Sequence, residues 1–466
     1  MGLDLDAERR AQLWRQVESL VEGYAAGVAE LPASPRLDAG EIRARLSAFR
    51  FDAPVEAGEA LEFAARQLSE FQVHTSHPLY YGLFNPKPTA MGVFADALVA
   101  GFNPQMAAWS HSPFACEVEA HLVRAFGERF GYEAESTDGT FCSGGAEANH
   151  TALLAALTSE FPYFGERGVR GLAAQPVFYV SAEAHHSFHK AARLCGIGGG
   201  ALRAVPVDDG LRMRADALAA MIEEDRRAGL APFLIVATLG TTNAGVCDPI
   251  PAVAEVARAE RVWLHVDAAW GGAAVLAPSV RHVAVGIAGA DSITFDAHKW
   301  MSVPMGAGLY LTRHRSILSR TFSTPTAYMP KEAAGLEVTD PHLHSMQWSR
   351  RFIGLKVFLS LAVAGWSGYE ETVEHMVRMG ARLKEELGRS RWRVVNETPL
   401  PVACFLDEDG GDAHKIVTRV LASGRAWCST TVLRGTERVM RACVTNYATR
   451  EKDVVALVAA LNEARG

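Results

Sequence analysis

The sequence predicts an α/β protein whose core is a mainly parallel sheet covered by helices on both faces. Between about residues 88 and 360, short apolar segments alternate with segments of helical periodicity. The apolar segments lack the polar–apolar alternation of a sheet with one face in water, which indicates strands buried on both sides. Polar residues cluster where these segments end, and parallel sheets bind ligands at the carboxyl ends of their strands.

Composition and charge narrow the class of protein. Of 466 residues, 49% are hydrophobic and 21% are charged, which is typical of a globular protein with more than one domain. The net charge of −7 argues against a general nucleic-acid surface. The seven cysteines are widely spaced without a C-x-x-C pair, which favours reduced thiols over disulfides or zinc. We find no signal peptide and no apolar run of membrane-spanning length, and therefore expect a cytoplasmic protein without membrane partners.

Residues 1–87 are predicted to form a helical arm. Its first helix covers about residues 7–30, and a second helical stretch covers about residues 59–72. Either a partner subunit or the same chain must cover the apolar stripe of the first helix, and the sequence leaves both open. The stripe consists of Leu13, Val17, Leu20, Val21 and Tyr24.

Residues 88–360 are predicted to form a large domain, and residues 361–466 a smaller α/β domain. In the large domain, the predicted helices cover residues 91–100, 114–126, 146–157, 214–227 and 252–258, and a helical stretch at about residues 351–364 leads out of the domain. The predicted strands cover residues 177–180, 233–238, 262–266, 292–295 and 308–312. In the small domain, the predicted helices cover residues 372–387, 412–422 and 451–465, and the predicted strands cover residues 402–406, 426–432 and 439–444.

A lysine stands at an unusual place in the predicted sheet. Lys299 follows a strand end and His298, and apolar Trp300 comes next. Taken alone, it reads as a lysine that reaches from a strand end to water. Asp267, at the end of another apolar strand, changes that interpretation. A desolvated lysine can form a Schiff base with a carbonyl, and a carboxylate nearby can keep a pyridine nitrogen protonated. An enzyme that depends on pyridoxal 5'-phosphate (PLP) as its cofactor requires such a pair.

Three further clusters are compatible with that cofactor. Ser143-Gly-Gly145 leads from a strand into a helix and suits a phosphate, although the same residues make ordinary turns. His185 and His189 have a spacing that could hold a metal, but no acidic ligand stands out, so no metal site is predicted. The flat His185 ring is better suited to lie over a flat cofactor, with small Ala269 on the other face. Thr242 adds a polar contact near the ring.

Taken together, these motifs resemble the group II PLP-dependent amino acid decarboxylases, which include aromatic amino acid, glutamate and 2,4-diaminobutyrate decarboxylases. The resemblance implies the fold type I aminotransferase scaffold, with a mainly parallel seven-stranded sheet in the large domain. The matching motifs occur in the family's order over roughly residues 75–450. They are His77-Pro78 with Tyr80-Tyr81, SGGAEA (143–148), Ala184-His185, Gly240-Thr-Thr242, HVDAA (265–269), His298-Lys299-Trp300 and Arg350-Arg351.

The resemblance also implies a role for each matching residue. Lys299 forms the Schiff base, Asp267 binds the pyridinium nitrogen, and His185 stacks on the ring opposite Ala269. Family members are homodimers with active sites at the interface. The residues implied to contact the phosphate are Gly145, Ala146 and His298, and Thr242 is implied to lie near the ring.

The implied activity is decarboxylation of an L-amino acid, with protonation at Cα by a loop tyrosine. Residues 322–328 resemble that mobile loop, with one extra residue between Pro325 and Tyr328. The predicted substrate pocket departs from that of the aromatic amino acid enzymes, because it contains amides and small residues. We therefore expect a polar or conjugated substrate side chain. The predicted substrate-binding residues are Tyr81, Phe84, Asn85 and Gln105.

Other PLP reactions remain open from the sequence. β-Elimination from a cysteine S-conjugate, or decarboxylation with oxidative deamination to an aldehyde, would use similar residues. Aminotransfer is less favoured because it needs a clamp for the α-carboxylate, for which Arg441 is a candidate. A non-catalytic protein of this fold is disfavoured because both Lys299 and Asp267 are present.

Overall fold

A computed structural model describes residues 4–84, 86–324 and 335–465 of the chain. The predicted α/β fold with a mostly parallel seven-stranded sheet is confirmed. The strands of this larger sheet are β1 (Asp138–Cys142), β2 (Pro176–Ser181), β3 (Leu202–Val205), β4 (Ala231–Thr238), β5 (Trp263–Asp267), β6 (Ser292–Asp296) and β7 (Gly308–Thr312).

Within the larger sheet, the strand order is β1-β7-β6-β5-β4-β2-β3. The strands from β2 to β6 pair in parallel, whereas β7 is antiparallel to both β1 and β6. Successive side chains of one strand enter two different cores. Along β4, Leu234 and Val236 pack on one face, and Ile235 and Ala237 pack on the other. Because both faces are covered, the strands are mostly apolar, as predicted.

Helices cover both faces of this sheet. In chain order, they are α4 (Ala90–Phe102), α5 (Pro113–Phe130), α6 (Gly145–Glu160), α7 (Phe164–Arg167), α8 (Ser187–Leu194), α9 (Ala215–Arg227), α10 (Ile250–Glu260) and α11 (Ile317–Phe322), preceded by α1 (Ala7–Gly27), α2 (Ala39–Leu46) and α3 (Ala57–Glu70) in the N-terminal segment. None of the helices in the described ranges is long and apolar enough to cross a membrane.

The N-terminal helix α1 lies against α3 but has no fully buried residue. Leu13, Val17 and Leu20 are partly covered, whereas Trp14 and Val21 stay exposed. The described part of the chain therefore covers only part of the predicted apolar stripe.

The C-terminal part contains a second, antiparallel sheet. Its strand order is β10-β11-β9-β8, and it is joined to the larger sheet by the long helix α12, which is interrupted at Gly365 (φ +65°). Glycine adopts this left-handed conformation without a steric penalty, which explains the kink. The elements of this part are α12 (Gly354–Arg389), β8 (Trp392–Val394), β9 (Val402–Asp407), α13 (Ala413–Ala422), β10 (Ser429–Leu433), β11 (Glu437–Cys443) and α14 (Glu451–Ala464).

Candidate active site

A small pocket lies where β4, β5 and β6 end and α6 begins. Neighbouring parallel strands place their carboxyl ends at the same sheet edge, so residues distant in sequence meet there. The pocket lining contains seven of the eight predicted cofactor residues, all except His298. It consists of Gly145, Ala146, Asn149, His185, Thr238, Gly240, Thr242, Asp267, Ala269, Trp270 and Lys299.

Lys299 points into this pocket and has a carboxylate partner. Its Nζ lies 2.9 Å from Oδ2 of Asp296, whose side chain is 1% exposed, and 5.9 Å from the ring centroid of Phe84. The lysine side chain itself is 23% exposed. It is therefore not a surface lysine reaching into bulk water. The sequence analysis placed Lys299 after a strand end but did not predict this ion pair.

Asp267 is held at the end of β5 by two N–H donors. The side-chain amide of Asn149 donates to Oδ2 at 2.8 Å, and the backbone N–H of Ala269 donates to Oδ1 at 3.1 Å. Asp267 is only 5% exposed. The donors leave the carboxylate with a fixed orientation at the pocket wall.

His185 lines the same pocket as a neutral ring. Its Nδ1 accepts a hydrogen bond from the backbone N–H of Ser187 at 3.2 Å, so the ring proton is on Nε2. Burial lowers the pKa of His185, and the nearby Asp267 carboxylate only partly opposes this effect. Among the described residues, no group of three or more His, Cys, Asp or Glu side chains could hold a metal ion.

The start of α6 has the geometry of an anion site. No side chain of the described residues caps this helix, so its first backbone N–H groups can meet a ligand. A Cβ at Gly145 would lie 2.8 Å from Oδ2 of Asp296 and 3.1 Å from Cβ of Ala269, so a larger residue does not fit. These features fit the phosphate of PLP.

His298 lies beside this helix start. Its Nδ1 accepts from the backbone N–H of Ala307 at 3.1 Å, and its ring is 3.5 Å from where a Cβ of Gly144 would stand. Burial lowers the pKa of His298. The ring therefore presents Nε2–H as a neutral donor at the same end of the pocket.

Arg441 reaches the same pocket region from the smaller sheet. It is 2% exposed, and its Cζ lies 5.0 Å from the ring centroid of Phe84, the ring that Lys299 also faces. Its Nε donates to the carbonyl of Thr242 at 3.1 Å, and Nη1 donates to the carbonyl of Gly82 at 2.7 Å. Its Nη2 is buried and has no hydrogen-bond partner among the described residues. The sequence identified Arg441 as a candidate clamp but could not show its direction.

The predicted substrate residues are distributed over two places. Phe84 stacks on Trp270 beside the pocket, with 4.4 Å between ring centroids. Tyr81 is fully buried next to the smaller sheet, where its backbone N–H donates to the carbonyl of Trp427 at 2.8 Å. Gln105 is exposed in a separate groove with Arg351 and Phe352. Asn85 and Tyr328 lie outside the described residues.

A wider groove of about 660 Å³ lies beside α5 and β1. Its Arg350 is already paired with Glu119, at 3.0 Å between Nη1 and Oε1, and no lysine lines the groove in the described ranges. The chemistry of a Schiff base therefore points to the smaller pocket.

The fold and the pocket define a PLP-dependent enzyme, and comparisons with known proteins identify its family. Residues 51–407 match the family model described as "Pyridoxal-dependent decarboxylase conserved domain". The chain is 30% identical to an aromatic-L-amino-acid decarboxylase of Bacillus atrophaeus, across 98% of this chain and 95% of that protein. It is 29% identical to the L-aspartate decarboxylase dtxS4 of Metarhizium robertsii, across 83% of this chain and 78% of that protein.

A solved structure shares the fold across nearly the whole chain. The structure of Oryza sativa TDC with PLP and tryptamine superposes with a TM-score of 0.91 at 24% identity, and covers 99% of this chain and 98% of that chain. The chain belongs to the pyridoxal-dependent decarboxylase family. It is a carboxy-lyase whose cofactor is PLP.

Proposed function

We propose that this enzyme decarboxylates an L-amino acid with a polar or conjugated side chain and that Lys299 carries its cofactor. The observation that carries the proposal is the convergence of Lys299, Asp267 and His185 on one pocket beside the uncapped start of α6. When bound, PLP supplies an aldehyde that condenses with amines and a protonated ring that withdraws electrons from the bond being cleaved.

Asp267 would face the pyridine nitrogen of the cofactor. A negative charge at this position favours the protonated form of the nitrogen, which strengthens electron withdrawal. The two N–H donors on Asp267 support this role because they keep the carboxylate oriented at the pocket wall. His185 would lie over one face of the ring and Ala269 would leave room on the other, with Thr242 at the ring edge.

Gly145, Ala146 and His298 would hold the phosphate. The backbone N–H groups at the start of α6 and its helix dipole attract an anion. The neutral His298 ring would add one N–H donor.

Asp296 would accept the proton that Lys299 loses. The lysine must lose a proton before its amine can attack an aldehyde, and Oδ2 of Asp296 lies 2.9 Å from Nζ. The carboxylate can accept that proton without help from bulk water. Asp296 thus prepares Lys299 for cofactor loading and for its return after each turnover.

Arg441 would bind a carboxylate of the substrate. Its Nε and Nη1 are held by backbone carbonyls, which leaves the buried Nη2 as the donor without a partner among the described residues. A charge-assisted hydrogen bond from this atom would orient the amino acid close to Lys299. Loss of CO₂ leaves an electron pair at Cα, and Tyr328 is the proposed proton donor to that carbon.

We further propose a cytoplasmic homodimer with its active sites at the interface. Gln105 lies in an exposed groove that does not contain Lys299 of the same chain. In a dimer, Gln105 of one copy could therefore reach the active site of the other copy. Phe94, Leu98 and Phe102 are exposed at helical spacing on α4 and form an apolar stripe beside that groove. A polar substrate is consistent with the similarity to an L-aspartate decarboxylase.

A product assay on the PLP-loaded enzyme tests the proposal. Acidic, basic, aromatic and S-substituted cysteine amino acids would be supplied, and amine, CO₂, aldehyde, keto acid and pyruvate would be measured together. Equal amounts of amine and CO₂ from a polar class of side chain would support it. A strong preference for tyrosine or tryptophan would overturn the substrate class. Aldehyde with CO₂, or pyruvate without CO₂, would overturn simple decarboxylation.

A further inference from the structure

Behind Asp267, a row of buried polar side chains runs away from the pocket. Trp263 Nε1 donates to Ser292 Oγ at 2.9 Å, and Ser292 Oγ lies 2.9 Å from Nδ1 of His265. Nε2 of His265 is 3.2 Å from Oδ1 of Asn149, whose Nδ2 donates to Asp267 at 2.8 Å. His265 and Ser292 are fully buried, and Asn149 is 1% exposed. Polar groups this deep in a core are costly unless all are paired.

The orientation of the Asn149 amide follows from its neighbours. Its Nδ2 has two hydrogens, which go to Asp267 and, at 3.0 Å, to the hydroxyl of Ser187. A flipped amide would place its oxygen 2.8 Å from a carboxylate oxygen, and both are acceptors. The amide oxygen therefore faces His265 and needs a hydrogen from Nε2 of that ring.

The proton on His265 then decides the rest of the row. Burial lowers the pKa of His265 to about 3, so the ring is neutral and carries one N–H. That N–H is on Nε2, where the hydroxyl of Thr294 is a second acceptor at 3.2 Å. Nδ1 is then an acceptor, and the hydroxyl of Ser292 must donate to it. Since the Trp263 indole can only donate, every hydrogen in the row points toward Asp267.

We propose that Asn149 and His265 are positioning residues that act on the cofactor through Asp267. The one-way row of hydrogen bonds, here called the Asp267 relay (Trp263, Ser292, His265, Asn149), fixes one oxygen of the carboxylate and polarises its donor. The remaining lone pairs of Asp267 are thereby directed to the pyridine nitrogen. The inference rests on the proposed role of Asp267 and assigns to α6 a second task besides holding the phosphate.

Cofactor binding to the apoprotein tests the relay without relying on activity. Affinity would be measured by tryptophan fluorescence for PLP and for its carbocyclic analogue, in which a C–H group replaces the ring nitrogen. Asn149→Leu and His265→Phe should each weaken PLP binding by about tenfold or more, while analogue binding changes by less than about twofold. Thr151→Val is the control, because Thr151 is buried in the same helix and is not one of the hydrogen-bond donors to Asp267. It should leave both affinities unchanged.

Each outcome separates the relay from the proposed role of Asp267. Equal weakening of PLP and its analogue would mean that Asn149 and His265 only support packing, and would overturn the relay. Asp267→Asn should weaken PLP alone. If Asp267→Asn affects neither ligand, the role of Asp267 fails, and the relay fails with it.

A measurement on the unmodified protein covers the case in which a variant does not fold. With ¹⁵N-labelled histidine, NMR distinguishes the two neutral ring forms. The relay requires His265 to remain neutral with its proton on Nε2 at pH 6–8. A proton on Nδ1, or a charged ring, would overturn it.

Discussion

At the scale of single residues, three ionisable groups in or beside the pocket are each held by a neighbour through an ion pair or hydrogen bonds. The sequence alone did not predict these neighbours. Lys299 is paired with Asp296, Asp267 with Asn149, and the Arg441 guanidinium with backbone carbonyls. These partners limit how each group can move. The chemistry therefore depends on pairs of residues rather than on isolated ones.

Arg441→Lys should raise KM for the amino acid about tenfold or more, with a smaller effect on kcat. A lysine keeps the charge but lacks the planar fork, so it cannot bond the carbonyls of Thr242 and Gly82 while offering a further donor to substrate. Steady-state kinetics with the best amino acid of the product assay measure this. An unchanged KM would remove Arg441 from substrate binding.

Tyr328→Phe should lower the rate of amine formation by about 100-fold or more and increase the share of aldehyde and peroxide. The hydroxyl is the proposed proton source at Cα, and general acids contribute effects of this size. Tyr163→Phe, at an exposed tyrosine on the surface, serves as the control. Amine yields equal to those of the control would exclude Tyr328 as the donor.

The sequence predicted most of the pocket-lining residues because strand ends, glycines and a lysine can be recognised locally. Asn149 was missed because one asparagine in an alanine-rich helix has no local meaning. The available hint was its position beside apolar Ala148 and at helical spacing from apolar Ala152 and Leu153, which predicts burial. A buried polar group needs a hydrogen-bond partner. The direction of Arg441 depends on how β11 packs against the loop after β4, which no local pattern describes.

At the scale of helices and strands, buried side chains connect elements to one another. Glu119 of α5 accepts from Arg350 and from the backbone N–H of Gly354 at 3.0 Å, so it holds the start of α12. Asp248, after β4, accepts from the backbone N–H groups of Met213 and Thr238, each at 2.8 Å. These contacts fix the loops at the edges of the larger sheet.

Asp248 should lower the free energy of unfolding as the pH rises from about 4 to about 6. Burial raises its pKa from 3.8 to about 6, so the folded state keeps a proton that the unfolded state has already lost. The stability from this proton is fully present below pH 3.8 and is lost as the pH rises through 6. The loss is on the order of 2–3 kcal/mol.

Denaturant unfolding between pH 4 and 8 would measure this effect as the difference between the native chain and Asp248→Asn. Buried His265 titrates with the opposite sign over part of this range, but it is common to both proteins and cancels. Asp248→Asn should have a lower stability at acid pH, because its amide nitrogen cannot replace the carboxyl oxygen that accepts a backbone hydrogen bond. The free energy of unfolding of Asp248→Asn should therefore not show the decrease that Asp248 causes as the pH rises. Parallel curves for the two proteins would contradict the assignment.

Element boundaries were predicted best where burial is complete. The central strands agree closely with prediction, whereas β3 and β8 were not predicted as strands. Both lie at sheet edges and are partly exposed, so they lack an apolar run. Helix α12 (Gly354–Arg389) spans two segments that were predicted separately, a helical stretch at about residues 351–364 and a helix at residues 372–387. The sequence could not show that the chain continues from one to the other through the kink at Gly365.

At the scale of the whole molecule, three exposed apolar side chains follow one another at helical spacing on α4. The stripe of Phe94, Leu98 and Phe102 on α4 includes a residue that is 85% exposed, Phe102. Exposed apolar patches of this kind are typical of protein interfaces. The predicted domain limits at residues 87/88 and 360/361 remain a proposal, and the second falls inside α12.

Leu98→Glu should shift the protein from dimer to monomer in sedimentation experiments at micromolar concentration. The carboxylate would be desolvated in an apolar interface, and activity should fall with the dimer if the second copy completes the site. Leu194→Glu, at an exposed leucine on α8, is the matched control and should stay dimeric. A monomeric native protein, or a dimeric Leu98→Glu variant, would contradict this interface.

The most direct test of the account locates the cofactor on the chain. PLP-loaded protein would be reduced with borohydride, digested, and mapped by mass spectrometry, with Lys299→Ala as the control. We expect one phosphopyridoxyl group per chain, on Lys299, and none in the control. A group on another lysine, such as Lys190 or Lys356, or labelling that persists in Lys299→Ala, would show that the pocket at the ends of β4, β5 and β6 is not where the cofactor is attached.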